Sequence, residues 1–121
     1  MDQMTYEETL TRAIKTYGGD NQMRQCVEEM AELTVSICKY LRHRGELRDT
    51  ELLENIAEEV ADVHIMTDQL AMLVGALLQD DAVNDAIEYK ANRLKERLDD
   101  EQRNTDWTPD EGSGGKIYIG F

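Results

Sequence analysis

Two pairs of acidic residues have the types and the spacing that could do chemistry in this chain of 121 residues. Glu29 and Glu32 lie three residues apart, and Glu59 and Asp62 repeat that spacing further along. Residues three apart on an α-helix are neighbours on one face. Two such helices side by side would hold four carboxylates close together, where they repel one another unless a cation lies among them. Oxygen ligands suit a hard divalent cation, so the pattern predicts a Mg²⁺ site.

Four helices are predicted around these acids by apolar residues that recur in steps of three and four. They cover residues 5–17, 21–44, 50–79 and 82–100. The second and third helices have regular apolar seams, which we expect to pack against other helices. The seams are Met23, Val27, Met30, Thr34, Ile37 and Leu41 in the second helix, and Ile56, Val60, Val63, Thr67, Leu70, Val74 and Leu77 in the third.

The two acidic pairs are predicted to meet. Both lie beside the seams and border apolar residues, and in an antiparallel hairpin their heights would differ by only roughly 5 Å. The alternative is that they are ordinary surface acids, since this spacing is common in an acidic helical protein. The long third helix is also apolar off its seam, at Leu52, Met66, Leu73 and Leu78. Such a helix is central or lies in an oligomer interface, which predicts a homodimer or a homotetramer.

Composition favours one helical domain and an acidic surface. We predict an all-α, antiparallel four-helix-bundle-like domain at residues 1–101, followed by an irregular C-terminal tail at 102–121 that is rich in glycine. The formal net charge of −13 disfavours nucleic acid and anionic membranes as partners. Trp107, the only tryptophan, is expected to anchor the tail or to stack on a nucleobase.

The two cysteines point to a reducing compartment. Cys26 and Cys38 lie twelve residues apart on one predicted helix, which separates them by roughly 18 Å and excludes a disulfide between them. The sequence has no cysteine and histidine pattern of a zinc site, no signal peptide and no apolar run near eighteen residues. We therefore expect a cytoplasmic protein. His64, close to the seam of the third helix, is expected to be buried and hydrogen-bonded.

The residues around the acidic pairs resemble a known double motif. Glu-Glu-Met-Ala-Glu-Leu at 28–33 and Glu-Glu-Val-Ala-Asp-Val at 58–63 are similar to the ExxE and ExxD motifs of the MazG-like, all-α nucleoside triphosphate pyrophosphohydrolases. The resemblance implies hydrolysis of a nucleoside triphosphate to a monophosphate and pyrophosphate. It implies that Mg²⁺, or Mn²⁺ as a substitute, is bound by Glu29, Glu32, Glu59 and Asp62. The general base would be Glu28 or Glu32.

A further stretch fits the same family. Members often carry a signature of the type N-x-K-F-x-x-R on the last helix, and this chain has Glu-Tyr-Lys-Ala-Asn-Arg-Leu at 88–94. Lys90 and Arg93 match the basic positions and could bind phosphates. Glu88 and Ala91 stand where the family has its asparagine and its aromatic residue.

Two other functions remain open from the sequence. One is a helical interaction or assembly module whose acids are solvated and whose apolar long helix binds a partner. The other is a nucleotide-binding protein without turnover.

Overall fold

The structure, a computed structural model, describes residues 3–46 and 49–105. These residues form α1 (Gln3–Tyr17), α2 (Gly19–His43), α3 (Asp49–Leu78) and α4 (Ala82–Thr105). No strand occurs within the described ranges. The predicted all-α fold with four helices is therefore confirmed.

The chain divides into two compact units, Met1–Val83 and Asn84–Phe121. The first contains α1, α2 and α3, and the second contains nearly all of α4. Helix α4 continues through Thr105, so residues 102–105, predicted as the start of an irregular tail, are helical. The rest of the predicted tail, with Trp107, lies outside the described residues.

Helices α2 and α3 form an antiparallel hairpin with a well-defined register. The Gln22 side chain donates a hydrogen bond to Gln69 Oε1 over 2.7 Å, and both side chains are buried. Near the other end of the hairpin, Leu52 of α3 lines a cleft together with Lys39 of α2. At the end of α2, Gly45 has a φ of 93° and donates its backbone N–H to the Asp49 carboxylate at the start of α3. The hairpin thus holds its register at both ends.

Beyond Met23, which is half-buried, the α2 seam does not pack inside this unit, so that part of the sequence interpretation is wrong. Val27 and Leu41 are 61% and 55% exposed, and Met30, Ile37 and the α3 seam residue Val60 are exposed as well. The buried or half-buried residues of α2 follow another strip, Gln22, Cys26, Glu29, Leu33, Ser36 and Tyr40, together with Gly19, Met23 and Gln25 near the start of the helix. An apolar stripe shows which face of a helix needs cover, but it does not show whether the same chain supplies that cover.

Helix α1 lies against the hairpin through a buried leucine and a tyrosine. Leu10 is in the core, and the Tyr6 hydroxyl donates to Asp68 Oδ2 over 2.7 Å. Burial raises the pKa of Tyr6 to about 12, and the hydrogen bond and the charge of Asp68 act in the same direction. His64 lies 3.3 Å from the same Asp68 carboxylate but is exposed, so the prediction of a buried histidine is wrong.

Glycines shape the turn between α1 and α2. Gly18 has a φ of 91°, which side chains other than glycine rarely adopt, and its N–H donates to the Ile14 carbonyl over 2.9 Å. Gly18 also occupies the N-cap position of α2, where no side-chain hydrogen bond is made, and Asp20 lies in the first turn of the helix.

The two cysteines are free, as the spacing required, with Cys26 buried and Cys38 exposed. Helix α3 is long and apolar enough to cross a membrane when judged by length and composition alone, with a mean hydropathy of 1.3 in an 18-residue window. Core helices of soluble proteins pass the same test, so this finding does not choose between the two settings.

Candidate metal centre

Three of the predicted metal ligands converge between α2 and α3. Glu29, Glu59 and Asp62 each offer one carboxylate oxygen, and these oxygens all lie within 4.8 Å of one another. The hairpin register explains the meeting. Glu29 lies seven residues after Gln22 in α2, and Asp62 lies seven residues before Gln69 in α3. Two turns separate each acid from the buried amide pair, so the amides and the carboxylates share one interface.

The carboxylates at this centre are incompletely satisfied. Gln25 donates to Glu29 Oε1 over 2.8 Å, but the other oxygen of Glu29 is buried without a hydrogen bond. One oxygen of Glu59 is in the same state. Leaving a buried anionic oxygen unpaired is costly, and a bound cation removes that cost. The donor set therefore fits a hard divalent cation that prefers oxygen ligands.

Glu32 adds a fourth acid beside the other three. The charge of Glu29, followed by that of Glu59, raises the pKa of Glu32, and desolvation and hydrogen bonding to the same two residues add to the effect. Its side chain is exposed, so it can contact a ligand that enters from solvent. Glu28 is also exposed but is not among the carboxylates whose oxygens meet. The structure thus places Glu32 in the negative field of this centre.

An open cleft of about 310 Å³ begins at the carboxylates and runs along α2. It is lined by Ala31, Glu32, Val35, Ser36, Lys39 and Glu59. Sequence reasoning did not identify Lys39 as part of this site. The signal was the spacing, because Glu32, Ser36 and Lys39 follow one another in steps of four and three on one helix face.

The two basic residues predicted to bind phosphate lie on α4, in the second unit. Lys90 and Arg93 are one turn apart and exposed, as the spacing predicted. The Arg93 guanidinium lies 5.8 Å from the centre of the Tyr89 ring, a cation–π arrangement that holds the arginine against its own helix. Their role in phosphate binding stays a prediction.

Comparison with models of known protein families, with curated proteins and with solved structures finds no match to this chain.

Proposed function

We propose that the protein is a Mg²⁺-dependent nucleoside triphosphate pyrophosphohydrolase, which converts a nucleoside triphosphate and water to a nucleoside monophosphate and pyrophosphate. The observation that carries the proposal is the meeting of Glu29, Glu59 and Asp62 within 4.8 Å across two helices. The resemblance of the two acidic motifs to those of the MazG-like pyrophosphohydrolases supports the same conclusion. We also propose that the protein acts in the cytoplasm, where nucleoside triphosphates are available.

In this proposal the acidic centre holds the cation. Glu29, Glu59 and Asp62 are ligands, and Glu32 completes the set from the exposed side. Mg²⁺ bound there, or Mn²⁺ in its place, would neutralise phosphate oxygens and lower the pKa of a water molecule. The unpaired oxygens of Glu29 and Glu59 support this assignment, because their burial is otherwise uncompensated.

Glu32 is our candidate for the general base. Its side chain is exposed beside the three converging carboxylates, so it can reach a water molecule that a metal ion held by them would activate. Its carboxylate would take a proton from the attacking water, whose oxygen forms a bond to the α-phosphorus. The bond from that phosphorus to the bridging oxygen breaks, and its electron pair leaves with pyrophosphate. Glu28 remains the alternative base.

Lys90 and Arg93 are proposed to bind substrate phosphates from α4. Two cations one turn apart can each contact a phosphate oxygen of the same substrate. In a chain with a net charge of −13, an anionic substrate needs such local positive charge, or metal ions, in order to bind.

The proposal is tested by incubating the full chain with a panel of ribonucleoside and deoxyribonucleoside triphosphates, with and without Mg²⁺. Released pyrophosphate and the corresponding monophosphate are the expected products, and chelation of the metal should stop the reaction. Release of orthophosphate instead would indicate a different bond cleavage. Nucleotide binding without any product would support the binding protein without turnover.

A second candidate, an assembly module, is favoured by the exposed apolar residues of α2. Val27, Met30, Ile37 and Leu41 lie along one face at helical spacing, and all four are exposed. Burying such a face in a homodimer or homotetramer is compatible with the enzymatic proposal. The assembly module alone would be supported if the chain oligomerises but shows neither nucleotide turnover nor a Mg²⁺-dependent change in thermal stability.

A further inference from the structure

The acidic centre continues into a basic cleft along the same face of α2. Glu29, Glu32, Ser36, Lys39 and His43 follow one another in steps of three and four. Such a pattern keeps side chains in one row on a helix. Along this row the charge changes sign between Glu32 and Lys39, over an axial distance of about 10 Å.

A second cleft, of about 260 Å³, lies at the basic end of this row. Lys39, Arg42, His43, Glu46 and Leu52 line it. Leu52 is buried and provides an apolar floor. His43 Nδ1 lies 3.1 Å from Glu46 Oε1, so the one acid in this lining is already paired.

Lys39 and Arg42 have no acidic partner in the part of the chain that the structure describes. Acids outnumber basic residues by two to one here, 26 against 13, so two neighbouring unpaired cations in one cleft point to an external anion. Lysine and arginine both bind phosphate oxygens, and a metal-bound polyphosphate presents such oxygens.

Lys39 lines both clefts, the one at the carboxylates and the one at the basic end. A ligand that is bound at the acidic centre through a divalent cation can therefore extend along α2 and meet the Lys39 ammonium. Ser36 lies between the two ends and offers a hydroxyl group to the same ligand.

We propose that Lys39 and Arg42 form a pyrophosphate subsite, which binds the β- and γ-phosphates of the substrate and then the leaving pyrophosphate. This inference rests on the proposed function and adds a phosphate grip within α2 to the one proposed on α4. When the bond at the α-phosphorus breaks, the electron pair moves to the departing pyrophosphate oxygen. The ammonium of Lys39 and the guanidinium of Arg42 stabilise the negative charge that accumulates there.

The test uses Mg²⁺ and inorganic pyrophosphate titrated into the full-length protein, with binding followed by calorimetry. Lys39→Met and Arg42→Gln should each weaken pyrophosphate binding about tenfold or more, because each removes a charge-assisted hydrogen bond. Arg24→Gln is the matched control on the same helix. Arg24 is exposed, donates a hydrogen bond to Asn21 Oδ1, and lies fifteen residues before Lys39, about 22 Å along the axis. Circular dichroism of every variant checks that the helices still form.

A kinetic readout separates this role from a structural one. Lys39→Met should raise the inhibition constant of pyrophosphate and the KM for the triphosphate, while the inhibition constant of the monophosphate product stays unchanged. Lys39→Arg should restore most of the pyrophosphate affinity, since it restores the charge. A lysine that only stabilised the helix end would change neither inhibition constant selectively.

The outcomes distinguish this subsite from the proposed reaction. If Lys39→Met binds pyrophosphate as tightly as the wild type does, the subsite is overturned, even if the protein hydrolyses triphosphates. The same holds if pyrophosphate affinity is lost only in Lys90→Gln and Arg93→Gln. Pyrophosphate binding that depends on Lys39 in a protein without turnover supports the subsite and rejects the enzymatic proposal. No pyrophosphate binding by the wild type overturns the subsite, whether or not triphosphates are hydrolysed.

Discussion

The two long faces of α2 show opposite relations between polarity and burial. The face turned toward α3 contains Gln22 and Glu29, and it is buried or half-buried. The face turned away contains Val27, Ile37 and Leu41, and it is exposed. In an isolated small protein we would expect the reverse, because burial of apolar surface is the main favourable contribution to folding.

The intrachain interface thus contains polar groups among its buried apolar residues. Buried amides and carboxylates stabilise a fold weakly, but they penalise any register that leaves them unpaired. The Gln22–Gln69 hydrogen bond therefore selects one alignment of α2 and α3, the alignment that brings Glu29 to Asp62. The apolar face stays exposed in this unit, and it is the face that the proposed oligomer would bury.

The substitution Glu59→Gln tests the acidic centre at the polar interface, and we expect it to have the largest effect. We expect turnover to fall by about a hundredfold or more, since the contribution of a metal ion to catalysis amounts to several kcal/mol. Without metal, the variant should melt at a temperature equal to or above that of the wild type, because one charge of the crowded centre is gone. Enzyme assays and metal-free thermal melts measure the two effects.

Glu58→Gln is the control for this experiment, because Glu58 is adjacent, acidic and exposed. It should keep wild-type activity. If Glu59→Gln does so as well, the metal assignment is wrong.

The apolar face is tested by Ile37→Asp, which places a charge in the middle of the exposed strip. If a second copy covers this strip, the dissociation constant of the oligomer should rise by about a hundredfold, because a charge would be buried without a partner. Light scattering and sedimentation at micromolar concentrations measure the change. Thr9→Asp, an exposed position on α1, should leave the oligomer unchanged. A wild-type protein that is monomeric under these conditions would contradict the proposed oligomer.

The register is tested by comparing Gln22→Leu with Gln22→Leu/Gln69→Leu. The single substitution leaves the buried Gln69 carbonyl oxygen without its donor and should cost about 1–3 kcal/mol of unfolding free energy. The double substitution replaces the pair by apolar side chains and should recover most of that stability. Even so, its Mg²⁺ affinity should fall below that of the wild type, because alternative registers are no longer penalised. Chemical denaturation and metal titration provide the measurements, and equal metal affinity would show that the amides do not set the register.

The smallest expected effect is the pH dependence of the metal-free protein. The pKa of Glu32 is raised above its ordinary value of 4.5, so the folded state binds this proton more tightly than the unfolded chain does. The resulting stabilisation is fully present below the ordinary value and is lost as the pH rises through the raised pKa. Glu32→Gln, which carries no charge at this position, should therefore melt above the wild type at neutral pH, and the two melting temperatures should converge as the pH falls through the raised pKa. Parallel melting curves across this range would contradict the crowding of Glu32 by its neighbours.

Much of this architecture could be predicted from the sequence because its signals are local. Apolar periodicity predicted all four helices, and the first three begin and end within two residues of the predicted positions. Glu29, Glu59 and Asp62 were expected to meet because an antiparallel hairpin brings their heights together, and the structure brings them together.

The choice between helix faces could not be predicted in the same way. The Met23-to-Leu41 stripe is the more apolar face of α2, yet the chain covers the other one. That choice depends on which surfaces of α3 and α1 are available to α2, and the periodicity of α2 alone does not contain this information. His64 was misjudged for a similar reason, since an angle on a helical wheel does not show how far the neighbouring helix extends.

The contrast between the two thiols gives the hairpin a built-in reporter of its own opening. Cys26 is only 1% exposed between the helices, whereas Cys38 is exposed on the same helix. A thiol reagent should therefore label Cys38 at once and Cys26 only during the moments when α2 and α3 separate. The rate of the slow alkylation phase would measure how often α2 and α3 separate. A divalent cation that bridges the two helices should make this slow phase slower.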